Sequence, residues 1–227
     1  MTVDLSSGNF SELSIPSPNF ACGLAEQCFY KSSLWTGHDL YLYGGMGTGI
    51  GYVNELWKYS PINNSWSEIN LPNDFASRVA CDMHWNGSEI IFSGGFPDPS
   101  DANPFQYFIQ KYNPSNNSWS TTSTTNAPQN RYYHASVYAD NKLFVWGGND
   151  VSSNQLSDGA IYDFSTNSWS TLPASPISAR SEVISFWSGS EFIVLGGGAD
   201  DKGASYNPSN NTWNLIENIP FSNIKTK

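Results

Sequence analysis

The sequence predicts an all-β chain built from four-stranded blades set radially around an axis, a β-propeller. Three observations lead there. A short apolar run that closes on two glycines is written four times, as LYLYGG, IIFSGG, LFVWGG and FIVLGG. The second glycines, Gly45, Gly95, Gly148 and Gly197, follow one another at steps of 50, 53 and 49 residues. A tryptophan keeps step with them at Trp66, Trp119, Trp169 and Trp213, each time after an Asn-Ser or Asn-Thr pair. A 50-residue unit of four strands cannot bury both faces of its sheet alone, and radial stacking of such units buries them.

Within a unit the elements come in a fixed order. The first strand is RYYHASVY in the third copy. It opens on an arginine seven residues before an aromatic: Arg78 before Trp85, Arg131 before Tyr138, Arg180 before Trp187. Cys28 takes that slot before Trp35. A two-residue hairpin turn follows, Asn86-Gly87 or Ala139-Asp140, where positive φ is wanted. The second strand is a continuous apolar run, as expected when both faces are buried. It ends on the glycine pairs Gly44-Gly45, Gly94-Gly95, Gly147-Gly148 and Gly196-Gly197. A variable loop leads to a third strand carrying Tyr59, Tyr112, Phe164 or Tyr206, and a turn leads to the fourth, with the tryptophan. The single domain 1–227 therefore divides into blades at about 21–72, 73–126, 127–174 and 175–219. Residues 3–13, VDLSSGNFSEL, align with YDFSTNSWSTL at 162–172 and put Phe10 in the tryptophan slot. Residues 1–20 thus read as a two-stranded part-blade. Strands that would complete it do not follow the fourth blade. The chain is then either a fragment of a larger propeller or a small ring closed by the part-blade, with closure between two chains as a third reading. Open blade edges and apolar end faces lead to an expectation of self-association.

Glycine pair, third-strand Tyr or Phe and fourth-strand Trp at this period resemble the kelch-repeat family over nearly the whole chain. The resemblance implies that the glycines end the second strand and that the tryptophans pack between blades. It also implies that the loops after the glycine pairs, with those entering the first strands, form a face that binds partners. Phe96, Asp98, Asp101, Asn149, Asp150, Asp200 and Asp201 fall there. Loops on a rigid scaffold are where function concentrates. The expected partner is a protein or a glycan, met by a non-enzymatic binding module. The alternative is a sugar-acting enzyme similar to the kelch-type sialate mutarotases, with Arg78, Arg131, Arg180 and Glu182 as polar groups near the axis. Recurrence of the arginines at one slot favours a repeated structural role for them.

Composition narrows the partners. Twenty Asp plus Glu against ten Lys plus Arg give a net charge of −10, which disfavours nucleic acid and anionic membranes. No apolar run is long enough to cross a bilayer, and the first ten residues lack the basic and apolar regions of a signal peptide. Scarce lysine and abundant Ser, Thr and Asn lean toward an extracellular or cell-surface setting. His38, His84 and His134 lie at different offsets from the arginine slot, +10, +6 and +3, which favours structural histidines over a metal centre. No cofactor is expected. Cys22, Cys28 and Cys81 allow at most one bridge, Cys22–Cys28. Asn-x-Ser/Thr sequons at Asn9, Asn63, Asn86, Asn116 and Asn210 sit in or beside turns, where Asn is common for its tolerance of left-handed backbone.

Overall fold

A computed structural model describes residues 2–3, 10–11, 28–47, 51–75, 77–100, 109–198 and 200–220. The Cys22–Cys28 pairing, the Asn9 sequon, Asp101 and most of the part-blade lie outside what is described. Among the described residues there is no helix, and sixteen strands form four antiparallel four-stranded sheets, each a simple meander. Blade 1 comprises Ser32–Trp35, Leu40–Tyr43, Leu56–Ser60 and Ser65–Ile69, and blade 2 Asp82–Trp85, Ile90–Ser93, Gln110–Asn113 and Ser118–Thr121. Blade 3 comprises Ala135–Ala139, Lys142–Trp146, Gly159–Asp163 and Ser168–Thr171, and blade 4 Ile184–Trp187, Phe192–Leu195, Gly203–Asn207 and Thr212–Ile216. Near the N-terminus Thr2–Val3 pairs antiparallel with Phe10–Ser11.

Three apolar clusters fill the junctions between successive blades. Tyr41, Tyr43 and Leu56 of blade 1 meet Met83, Ile90, Phe92 and Tyr112 of blade 2. Ile91 and Ile109 meet Leu143, Val145, Tyr162 and Trp169. Phe144, Trp146 and Ile161 meet Phe192, Val194 and Tyr206. Each such side chain contributes about 1.5–3 kcal/mol by leaving water. The tryptophans add a directed bond to this packing. Trp119 Nε1 donates to the carbonyl of Asn70 (3.0 Å), Trp169 Nε1 to Ser123 (3.1 Å) and Trp213 Nε1 to Pro173 (3.0 Å). Every acceptor lies four residues past the tryptophan of the preceding blade.

The register corrects several details of the sequence reading, among them the Asn86-Gly87 turn, which belongs to a four-residue connection. Tyr162, not Phe164, stands opposite Trp169, as Tyr59, Tyr112 and Tyr206 stand opposite their own tryptophans. Each of these tyrosines donates its hydroxyl to an asparagine five residues on: Asn64, Asn117, Asn167 and Asn211. Those asparagines hold φ of 47°, 57°, 53° and 59°. The left-handed residue is therefore the one after the sequon asparagine at 63, 116 and 210. Asn116 and Asn210 instead accept hydrogen bonds from Ser118 and Thr212. The two-residue hairpin turn in blade 3 is Asp140-Asn141, with φ of 49° and 57°, one residue later than expected. Blades 1, 2 and 4 use four-residue connections carrying Gly37, Gly87 and Gly189 at positive φ.

The second strands of the two inner blades are buried on both faces. Those of blades 1 and 4 alternate between buried and half-exposed. Trp35 is 54% exposed, although its counterparts Trp85 and Trp187 pack into junctions, and Phe186 and Leu215 on blade 4 are 43% and 41% exposed.

Candidate binding face

The arginine slot and the glycine pair turn out to be one device. Before each first strand the chain makes a kink, and the opposite kink is the glycine pair. In blade 2, Arg78–Val79 pairs with Phe96–Pro97 beyond the kink; in blade 1, Cys28–Phe29 pairs with Met46–Gly47. The guanidinium of each arginine donates to the carbonyl of the first glycine of its own blade: Arg78 to Gly94 (3.2 Å), Arg131 to Gly147 (3.0 Å), Arg180 to Gly196 (3.3 Å). The glycines then reach the next blade. Gly95 N–H donates to the carbonyl of Arg131 (3.0 Å) and Gly148 N–H to that of Arg180 (2.8 Å). A Cβ on Gly147, at φ +66°, would stand 2.9 Å from the Arg180 carbonyl oxygen, so only glycine permits this approach.

All three arginines are buried. Arg131 also donates to the carbonyl and carboxylate of Asp158, and Arg180 to the carbonyl of Lys202 and the carboxylate of Asp200. Arg78 reaches Gln110 (2.5 Å) and lies over the Phe75 ring. The arginines thus knit blade entrances together, and Asp200 serves one of them. Asp98 and Asp150 accept hydrogen bonds within their own loops, from Ser100 and from Ser152 and Asn154. Asn149 exchanges backbone bonds with Tyr132. Asp201 is exposed. Among the described residues these acidic groups form no set of three that could hold a metal ion.

Phe96 does take part in an assembly. Its ring meets Tyr132 at 5.0 Å between centroids, Tyr132 meets Tyr133 at 4.9 Å, and Tyr133 meets Tyr30 at 5.6 Å. This aromatic row crosses from blade 2 over blade 3 to blade 1, on the end of the blades that carries the variable loops. It ends at a well of about 300 Å³ on the axis. The well is lined by the residues two and three past the arginine slot in all four repeats, among them Tyr30, Lys31, Tyr133, His134 and Glu182, together with Asp82. Tyr30, Ala80, Tyr133 and Glu182, the four residues at the second offset, hold φ of 63°, 52°, 53° and 56°. Holding side chains left-handed costs energy. Bonds between blades offset it, from Ala80 N–H to the Tyr30 carbonyl and from Glu182 N–H to that of Tyr133. Sequence reasoning named Phe96 and Glu182 but missed Tyr30, Tyr132, Tyr133 and Asp82.

Behind the well, Asp82 lies 3.1 Å from His134 Nε2 and accepts from Ser136 Oγ at 2.8 Å. Ser136 in turn lies 2.7 Å from His84 Nε2. The three histidine offsets thus bring two side chains from neighbouring blades to one network, while His38 sits exposed at a hairpin turn. Desolvation raises Asp82 to about 7 and lowers His84 to about 4; it also lowers His134, helped by the charge of Arg131, to about 3. Both histidines are neutral at pH 7. With its proton given to Asp82, Ser136 can only accept from His84, which must then carry its proton on Nε2. In that tautomer the network links Asp82 and His84 of blade 2 to Ser136 of blade 3. Among the described residues no three His, Cys, Asp or Glu side chains form a metal-ligand set.

The Attractin/LZTR1 beta-propeller family model matches residues 2–212. The chain belongs to that family. Several of its curated relatives carry kelch in their names. Over 189 residues it is 26% identical to Kelch-like protein 25 of Xenopus tropicalis, which covers 79% of this chain and 31% of the relative. It is 27% identical over 199 residues to Kelch-like protein 23 of Homo sapiens, covering 85% and 33%, and 26% identical over 184 residues to F-box/kelch-repeat protein SKIP20 of Arabidopsis thaliana, covering 74% and 43%. This member of the family is a kelch-repeat β-propeller that spans about a third of the length of the first of these relatives.

Proposed function

We propose that this propeller is a non-enzymatic binding module that holds a protein partner on its loop-bearing face. The observation that carries the reading is the aromatic row Phe96–Tyr132–Tyr133–Tyr30 ending at the axial well. Tyrosine-rich surface beside a pocket is typical of the centre of protein interfaces, where rigid rings bury area at small entropic cost. Similarity to Kelch-like proteins supports the same reading. An enzyme acting on a sugar acid would want arginines free to clamp a carboxylate, and Arg78, Arg131 and Arg180 are buried and engaged with backbone carbonyls. A glycan partner remains chemically compatible with tyrosine rings and therefore enters the test.

Panning a displayed peptide library on the 227-residue chain, beside a glycan array, tests the proposal. Peptides are expected to be enriched, to lose binding to a Phe96→Ala/Tyr132→Ala double variant, and to keep it with Ile62→Ser, a change in an exposed turn at the far end of blade 1. Array hits without selected peptides would replace the protein partner by a glycan.

A further inference from the structure

The charges around the axial well do not balance locally. Lys31, whose pKa burial lowers, faces the opposing charge of Glu55. Arg131 pairs with Asp158 at 3.1 Å and Arg180 with Asp200 at 3.1 Å. The two carboxyl groups of the well differ. Among the described residues, the Asp82 carboxyl accepts from Ser136 and lies 3.1 Å from His134, which burial keeps neutral. Glu182 is half-buried and, among the described residues, has no side-chain hydrogen bond or ion pair. A half-buried carboxylate without a counter-charge is costly, and both of these line the same cavity as the contacting rings of Tyr30 and Tyr133.

We propose that the well receives one arginine side chain of the partner, its guanidinium lying against the contacting Tyr30–Tyr133 pair to meet the carboxyl groups of Asp82 and Glu182. This rests on the protein-binding reading of the face and names what the partner must present. Size agrees: about 300 Å³ is at the lower end of small-molecule cavities, ~300–1,000 Å³, and suits a single side chain. Shape agrees as well, since a planar guanidinium both stacks on tyrosine and bonds carboxylates. Burial raises the Tyr133 phenol, so this ring stays neutral beside the cation. Asp82 supplies a signature. Its carboxyl, raised to about 7, gives its proton to solvent as the cation enters, so affinity climbs with pH across that range. Its titratable neighbours do not change with it: His84 and His134 are already neutral in that range, and burial raises the Cys81 thiol to about 11.

The test uses the 227-residue chain and a tripeptide, acetyl-Gly-Arg-Gly-amide, against its citrulline counterpart, which has the same shape and no charge. NMR titration is expected to shift the Tyr30 and Tyr133 ring signals with the arginine peptide. The citrulline peptide should bind at least about tenfold more weakly, a difference of ~1.4 kcal/mol. Glu182→Gln should weaken arginine binding by a similar factor without lowering the thermal melt. Asp82→Asn should remove the rise in affinity between about pH 6 and about pH 8. Equal binding of the two peptides, no shift with either, or affinity indifferent to both substitutions would overturn the assignment. Peptides selected by panning that carry no essential basic residue would overturn it too, while leaving the protein-binding reading intact.

Discussion

Arg131 is buried, and its guanidinium serves the carbonyls of Gly147 and Asp158 and the carboxylate of Asp158. Removing it strands the two carbonyls, whereas the Asp158 carboxylate, 63% exposed, returns to water. Arg131→Ala is therefore expected to cost about 2–3 kcal/mol, read as a shifted midpoint in urea; a change under about 1 kcal/mol would mean that water replaces the guanidinium easily. Gly147→Ala places a Cβ against the Arg180 carbonyl in left-handed backbone and should cost about 2–4 kcal/mol. Titration at the Asp82 network pulls in two directions. His84 and His134 are depressed in the fold, so the stability they contribute is complete above the ordinary histidine range and is lost as pH falls through about 4 and about 3. Asp82 is raised, so its contribution is complete below the ordinary carboxylate range and is lost as pH rises through about 7. Asp82→Asn removes only the second effect. Relative to wild type, the variant should gain stability between about pH 5 and about pH 8, and denaturation at the two pH values reads the difference directly. A gain of the opposite sign would show that Asp82 is stabilised as a carboxylate.

At the scale of the element, the tryptophan strand is the unit that joins blades. Trp169→Phe removes a bond to the Ser123 carbonyl and should cost about 1 kcal/mol. Trp66 occupies the same slot, but its buried indole N–H has no hydrogen-bond partner among the described residues. Trp66→Phe should thus be neutral or stabilising, and thermal melts of the two variants side by side decide the matter. Elements of this kind were legible in the sequence because each is written four times. Glycine pair, tryptophan and arginine recur wherever the same junction is built. Phe164 was misassigned because two aromatics, Tyr162 and Phe164, stand two residues apart on one strand face, and pairing with Trp169 alone separates them. The well was not legible, since its chemistry lies in what does not repeat. The residue two past the arginine slot is Tyr30, Ala80, Tyr133 or Glu182, and the next is Lys31, Cys81, His134 or Val183. Only their common offset hinted that they share a place. The arginines' recurrence at one slot pointed to a structural role, and their bonds to the glycine carbonyls are what that slot holds.

At the scale of the whole molecule, three filled junctions join the described blades. Among the described residues, Trp35 on blade 1, and Phe186 and Leu215 on blade 4, leave exposed apolar surface. Such faces attract one another, so light scattering should show association that grows with concentration and weakens in Phe186→Ser/Leu215→Ser; a strictly monomeric chain at all concentrations would show that these faces tolerate water. The loop-bearing face makes a separate and more central claim: the recurring residues build the scaffold, and the non-recurring ones around the axis bind. Amide exchange of the full chain, with and without a peptide selected on it, tests this most directly. The account predicts slowed exchange at residues 30–33, 80–83, 96–98, 132–134 and 182–183, with the fourth strands and the far turns unchanged. Protection confined to the end faces of blades 1 and 4, or to the turns at 61–64 and 208–211, would contradict it.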